Sequence, residues 1–369
     1  MPRERPPLED RVGQLFWIGF RGTTLEPALR SLLERVRPGA VILFARNIEN
    51  ALQVRSLNDA IRRILRIPPF IALDQEGGRV NRLKSILGPI PPNLALASRK
   101  DAAKAVRRQA AAMASALRGL GFSVNLAPVL DLSGPDAANG IGDRAFGEDP
   151  RTVSRLARVF LETHLRSGVV PVGKHFPGLG SARADTHLTL PVISKSRARL
   201  TREDLVPYRR LNRLLPVVMA GHASYPALQD RPGPATLSRA VIEGLLRRRL
   251  GYRGLILTDD LEMGAVEQKA GAAAQALAAL AAGNDGLMFC ASPDKILDAY
   301  EGVLAAARRG DIGEARLERS LKKIKHLKAR FLGPRRRARF SPGAIERSRR
   351  SLAALGPGEE TGPDPTARL

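Results

Sequence analysis

The chain has 369 residues, 44% of them hydrophobic, enough to bury either one large α/β barrel or two ordinary domains. Its start, MPRERPPLEDRVGQLFWIGF, carries an apolar run too brief for a signal peptide or a membrane span, and the single cysteine, Cys290, excludes an internal disulfide, so a cytoplasmic protein with a buried, inert thiol is expected. The formal charge of +24 invites a nucleic-acid or anionic-polymer partner, but the arginines are dispersed among alanines along the chain, and four tyrosines and one tryptophan leave no basic stretch on which bases would stack; no nucleic-acid partner is expected.

Short β-branched or apolar runs alternate with longer amphipathic or alanine-rich ones. In chain order the pattern predicts strand 40–44, helix 52–65, strand 70–73, helix 102–120, strand 124–127, helix 151–166 and strand 169–172. It continues with helix 203–214, strand 217–220, helix 239–250, strand 255–258, helix 273–282, strand 286–289 and helix 295–308. Seven or eight βα units of this kind predict an α/β protein: a single-domain, TIM-like (β/α)8 barrel over residues 1–333. Residues 334–369 change character, with RRRAR, several Pro and Gly, and no sustained periodicity. A basic tail is expected there, with a short helix over 342–355 and disorder beyond.

Polar side chains follow the expected strands: Arg46 and Asn47, Asp74, Lys174 and His175, His222, and Asp259. Barrels of this class build their active sites at the C-terminal ends of the strands, so these positions converge on one face. In KHFPGLGSARADTH, a long loop ends in Asp185 and His187. At i and i+2 of an extended backbone they share a side, and the carboxylate can fix the imidazole tautomer while the free ring nitrogen moves a proton. A turn in which Asp185 merely caps a helix fits the same letters. In GLILTDDLEM, an apolar strand delivers Asp259 to the mouth, where a carboxylate can attack an anomeric carbon, with Asp260 as helix cap or loop contact. Helix capping alone would also explain the pair. In IALDQEGGRVNRL, Asp74 stands beside Arg79 and Arg82, and Arg144 lies in the glycine-rich IGDRAFGEDP; arginine beside carboxylate suits either hydroxyl recognition or an internal salt bridge.

Taken together, KHFPGLGSARADTHLTLP, LTDDLEMGAV, LDQEGGRVNRL and NLAPVLDLSGPDAANGIGDRAFGEDP resemble glycoside hydrolase family 3 over residues 12–330, specifically its single-domain bacterial β-N-acetylhexosaminidases of peptidoglycan recycling. The resemblance implies a retaining double displacement without metal or cofactor. Asp259 would be the nucleophile, His187 the acid/base with Asp185 as its partner, and Asp74, Arg82, Arg144, Lys174 and His175 the sugar-binding residues; Arg82 is thereby favoured over Arg79. It also implies a monomer acting on a small carbohydrate or muropeptide that carries N-acetylglucosamine on 1,6-anhydro-N-acetylmuramic acid. Leu179 and Ser181 depart from the family pattern, where a His and often an acidic residue stand, which bears on loop motion rather than on proton transfer. The rival readings are a phosphorylase or broader β-glucosidase on the same fold, a metal-dependent hydrolase using His175, Asp185, His187, His222 and Asp259, and a basic module that binds anionic polymers.

Overall fold

Strands of a parallel barrel are covered on both faces and need apolar side chains on each. In the computed structural model, which describes residues 5–134, 139–182, 184, 186, 189–266, 271–333, 338–356 and 364, eight such strands close on one another. They are β1 (Phe16–Ile18), β2 (Ala40–Ile42), β3 (Phe70–Leu73), β6 (Val124–Asn125), β7 (Val170–Phe176), β8 (Val217–Ala220), β9 (Leu255–Asp260) and β10 (Gly286–Phe289). Every residue in them is buried except Asp259. The order around the barrel is β1-β10-β9-β8-β7-β6-β3-β2, with all neighbours parallel, while β4 (Gln75–Gly77) and β5 (Val80–Asn81) form an antiparallel ribbon just beyond β3. The (β/α)8 architecture expected from the sequence is the one observed.

Strand β1 closes the ring, pairing Phe16 with Leu287 on one side and Trp17 with Ala40 on the other. It is absent from the expected strands because its three residues are too few to show a period. Two expected boundaries also move. Strand β7 runs on through Lys174 and His175, and β9 runs on through Asp259 and Asp260, because barrel pairing continues where the apolar letters stop. The expected helix over 203–214 is two short ones, Arg197–Arg202 and Leu205–Leu211; Glu203 leaves helical geometry between them, and Asp204 is fastened to Lys195 at 2.7 Å.

Trp17 fills the barrel interior, 1% exposed, with its ring 6.0 Å from that of Phe70. Room for it comes from Gly286, where a Cβ would stand 2.9 Å from Leu257 Cδ1 and 3.2 Å from the indole nitrogen. Outside the strands lie Ala51–Ile64, Ala102–Gly119, Pro150–Ser167, Ala240–Arg249, Ala272–Ala282 and Pro293–Arg309. The helix at Ala240–Arg249 is wound one residue per turn wider than an α-helix and closes with Leu250 N to Leu245 O at 2.9 Å. Three further helices, Leu8–Gly13, Pro27–Val36 and Glu314–Phe331, were not among the expected elements. The last lies against the N-terminal end of the barrel, with Lys323 Nζ 2.8 Å from Asp285 and Lys328 Nζ 2.5 Å from Gln14. Helix Pro342–Ala353 buries Ile345 and Leu352 and packs on Ala102–Gly119. Residues 357–363 and 365–369, where disorder was expected, lie outside the described residues. No described helix is long and apolar enough to cross a membrane.

Because Trp17 is enclosed on all sides, Trp17→Ala leaves a cavity that the rigid barrel cannot close. Chemical denaturation followed by circular dichroism should show a loss of about 3–5 kcal/mol; a loss under about 1 kcal/mol would mean that the interior repacks freely.

Candidate active site

At the C-terminal mouth, four charged side chains are folded into contact beneath the loops. Asp74 follows β3, Glu76 sits in β4, Lys174 is delivered by β7, and Arg144 comes from the loop after β6. Lys174 Nζ lies 2.6 Å from Asp74 Oδ1 and 2.6 Å from Glu76 Oε1. Arg144 meets Glu76 with two parallel bonds, Nε to Oε2 at 2.8 Å and Nη2 to Oε1 at 2.9 Å. All four are buried. Burial alone would push Glu76 up, but Arg144 and Lys174 outweigh it and hold the carboxyl far below the ordinary range. Likewise burial opposes the charges of Lys174 and Arg144, yet their acidic partners raise both. Glu76, Lys174 and Arg144 therefore keep their charges near neutral pH.

Arg82 borders this group, with Nη2 3.9 Å from Asp74 Oδ2, and its Nη1 donates to the carboxylate of Asp364 from the far end of the chain. Arg79, the other arginine of the motif, turns away and pairs with Asp143 at 2.9 Å. The choice between the two arginines thus has a structural reason.

His175 Nδ1 is 2.7 Å from Asp131 Oδ2, and Asp131 Oδ1 also accepts from the amide of Leu179 at 2.7 Å. One carboxylate orients the imidazole and pins the start of the loop that follows β7. The loop then runs so close to its neighbour that a Cβ at Gly180 would lie 1.7 Å from the carbonyl of Leu132, so only glycine fits. Tyr225 donates to Gly178 O at 2.7 Å, and Asn139 to Gly180 O at 2.8 Å. Leu179, a departure from the family pattern, is buried on the cavity wall. Asp185 and His187 lie outside the described residues. Thr186 between them is buried, lines the same cavity as Asp259, and accepts from Ala265 N at 3.3 Å.

The two aspartates of β9 have different surroundings. Asp259 is half-buried on the cavity wall, with Oδ1 accepting from the amide of Asp260 at 2.9 Å. Asp260 is 1% exposed, and burial together with nearby Glu262 pushes its carboxyl well above the ordinary range. Asp260 Oδ1 accepts from the amide of Glu262 at 3.1 Å, the loop contact that was one of its two expected roles; the strand continues through Asp260, so the other, a helix cap, does not apply. Glu262 accepts from the amides of Ala291 at 2.6 Å and Ser292 at 2.9 Å, tying the loop after β9 to the one after β10.

Several strand-end residues serve the scaffold. Arg46 donates to Cys290 O at 2.6 Å and Phe20 O at 3.1 Å, and Asn47 to Gly22 O at 2.8 Å. His222 Nε2 donates to the carbonyl of Asp260 at 2.9 Å and its Nδ1 lies 2.9 Å from Thr236 Oγ1, so both ring nitrogens are engaged. Cys290 is fully buried, as expected, on the cavity floor. Asp74, Arg144, Lys174, His175 and Asp259 share this cavity, of about 30 Å³. Glu76, Asp131 and Glu262 were not anticipated, although each stands inside a motif already singled out.

Replacing Glu76 with Gln removes the carboxylate that Arg144 pairs with and one of the two that Lys174 touches, leaving an excess buried cation. It should cost about 3–5 kcal/mol at pH 7. A carboxyl held low in the folded state contributes stability above its unfolded value and loses it as pH falls. The difference between the variant and the parent should accordingly narrow below about pH 4, as read by denaturant titration at a series of pH values. A gap that stays constant down to acid pH would contradict the pairing.

Residues 7–327 match the family described as glycosyl hydrolase family 3 N terminal domain. The Beta-hexosaminidase of Alkalilimnicola ehrlichii is 41% identical over 285 residues, covering 76% of this chain and 81% of that protein. Among solved structures, a fungal multi-domain GH3 beta-N-acetylglucosaminidase superimposes with a TM-score of 0.89 at 34% identity, over 95% of this chain; the present chain spans 43% of that longer one. A glycoside hydrolase family 3 beta-N-acetylglucosaminidase from Paenibacillus sp. str. FPU-7 gives 0.86 at 33% identity, over 94% of this chain and 69% of its own. A closed barrel with an aspartate near the end of β9 on its mouth and a family match along most of its length make this chain a member of glycoside hydrolase family 3 and a glycoside hydrolase.

Proposed function

We propose that the protein is a retaining β-N-acetylhexosaminidase that releases terminal, non-reducing N-acetylglucosamine from β-glycosides. The observation that carries the reading is the arrangement at the mouth: Asp259, half-buried near the end of β9, shares one cavity with Asp74, Lys174 and Arg144, which are held in place by their bonds to one another and to Glu76. The names of the relatives support the N-acetylated hexose as the sugar.

In the first step, a carboxylate oxygen of Asp259 bonds to the anomeric carbon as the glycosidic C–O bond breaks, and His187 gives its proton to the departing oxygen. Asp185 holds the imidazole in the required tautomer. In the second, His187 takes a proton from water, whose oxygen displaces Asp259; two inversions give net retention. Thr186 on the cavity wall supports the placement of its neighbours near Asp259. Asp74, Arg82, Arg144, Lys174 and His175 hold the sugar hydroxyls, with bidentate and charge-assisted donors supplying directionality. The natural substrate is a muropeptide with N-acetylglucosamine on 1,6-anhydro-N-acetylmuramic acid, met in the cytoplasm during peptidoglycan recycling by a monomeric enzyme without metal or cofactor.

Aryl β-N-acetylglucosaminide should be cleaved, and aryl β-glucoside should not, with free sugar as the product in the presence or absence of phosphate. Sugar 1-phosphate as the main product would reassign the enzyme as a phosphorylase, and cleavage of the glucoside alone would overturn the sugar. Asp259→Asn should reduce kcat by at least about 1,000-fold; a near-normal rate sinks the nucleophile assignment.

Removal of the acid should be felt in proportion to the need for it. His187→Ala should slow glycosides with poor leaving groups by about 100-fold or more while sparing activated aryl substrates at the first step. Equal losses on both classes would contradict the role.

A further inference from the structure

The formal charge of +24 has no part in hydrolysis, yet the fold does not leave it evenly spread. In a barrel whose strands all run one way, the returning helices bring their C-terminal turns to the N-terminal end, opposite the catalytic mouth. Here those turns are basic: Arg62 and Arg63, Arg118, Arg166, Arg209 and Arg210, Arg247 to Arg249. A helix C-terminus carries only about half a negative charge, which one cation offsets, so a large positive excess remains.

Much of the excess surrounds a bowl of about 1170 Å³ between the starts of β8 and β9 and helix Glu314–Phe331. Arg209, Arg210, Arg213, Arg253, Lys322 and Arg330 are exposed on its wall, no carboxylate lines it, and none of the six is paired with a carboxylate among the described residues. A second bowl on the same end, of about 500 Å³, has Arg55, Arg62, Arg63 and Arg118 around it, with Asp59 paired to Arg55 at 2.7 Å. The mouth at the other end mixes the two signs, with Asp74 and Glu76 paired there to Lys174 and Arg144. Like charges crowded within a Debye length repel, and the repulsion is relieved only when anions occupy the face.

We propose that the N-terminal end of the barrel is a docking surface for the phosphodiester headgroups of an anionic lipid bilayer, holding the enzyme with its catalytic mouth turned to the solvent. The cations spread over a whole end of the molecule, as a planar array of headgroups requires, and the contrast between unmatched cations at this end and paired charges at the mouth orients the molecule. The bowl presents no exposed Phe, Tyr or Trp and only one exposed imidazole, His326, too few stacking platforms for a run of bases, which disfavours single-stranded nucleic acid. Attachment of this kind inserts nothing into the hydrocarbon and is governed by salt.

The test is co-sedimentation of the full chain with vesicles of phosphatidylcholine alone and with vesicles in which about a third of the lipid is phosphatidylglycerol. Binding only to the second, lost at about 0.5 M salt, is expected. Exchanging Arg209, Arg213 and Arg253 together for Glu should weaken vesicle binding by more than about tenfold, with aryl glycoside turnover unchanged. Exchanging Arg347, Arg349 and Arg350, exposed on helix Pro342–Ala353, alters net charge equally and should weaken binding by less than about twofold. Equal losses in the two triple variants, no preference for phosphatidylglycerol, or displacement from vesicles by an equal charge concentration of duplex DNA would each overturn the proposal.

Discussion

A carboxylate clamped between two cations with no water to share the field is the constraint on which the mouth of this barrel depends. Glu76 is held by Arg144 on one side and Lys174 on the other, and Lys174 reaches on to Asp74. Buried charges are tolerable only when each meets its opposite at close range, and these four come from three different segments. Satisfying them fixes the ribbon after β3, the loop after β6 and the end of β7 relative to one another. Asp131 repeats the device, binding both His175 and the amide of Leu179. The loop that follows β7 therefore departs from a rigid anchor.

Much of this was legible in the letters, and what was not had physical reasons. Apolar runs of four or so residues declared seven strands, because burial on both faces leaves no polar letters to confuse the pattern. Strand β1 escaped since three residues cannot establish a period, and β7 and β9 ran long because their last residues are charged yet still hydrogen-bonded in the sheet. Lys174, Arg144, Asp74 and Asp259 were found through motif and strand-end position, and the structure brings them into one cavity. Glu76, Asp131 and Glu262 went unnoticed because their work is to hold other groups. A carboxylate that grips a neighbouring loop looks, in one dimension, like any other acidic letter in a turn. The two arginines after Asp74 were separable by the family resemblance but not by their letters alone; the fold sends Arg79 to Asp143 and sets Arg82 beside Asp74.

Charge shows the same gap between one dimension and three. Along the chain the arginines look evenly scattered, and from that scatter no surface could be inferred. The polarity of the βα unit sorts them, because a cation in the last turn of any outer helix reaches the same end of the barrel as every other. Composition sets how much charge there is, and topology decides where it accumulates.

The contact between Arg82 and Asp364 gives the mouth an internal ligand. A guanidinium that already holds a carboxylate does not gain a full bond when a hydroxyl arrives there; it exchanges one partner for another, and the chain's own end competes at the concentration its tether allows. Any affinity measured for a group that uses this edge of Arg82 is then a difference between two interactions. Since one of them joins full charges and the other does not, added salt weakens the internal partner more than the incoming one. For such a ligand, ionic strength acts on the competitor, and tighter binding in salt is the thermodynamic signature of a polypeptide that occupies part of its own site.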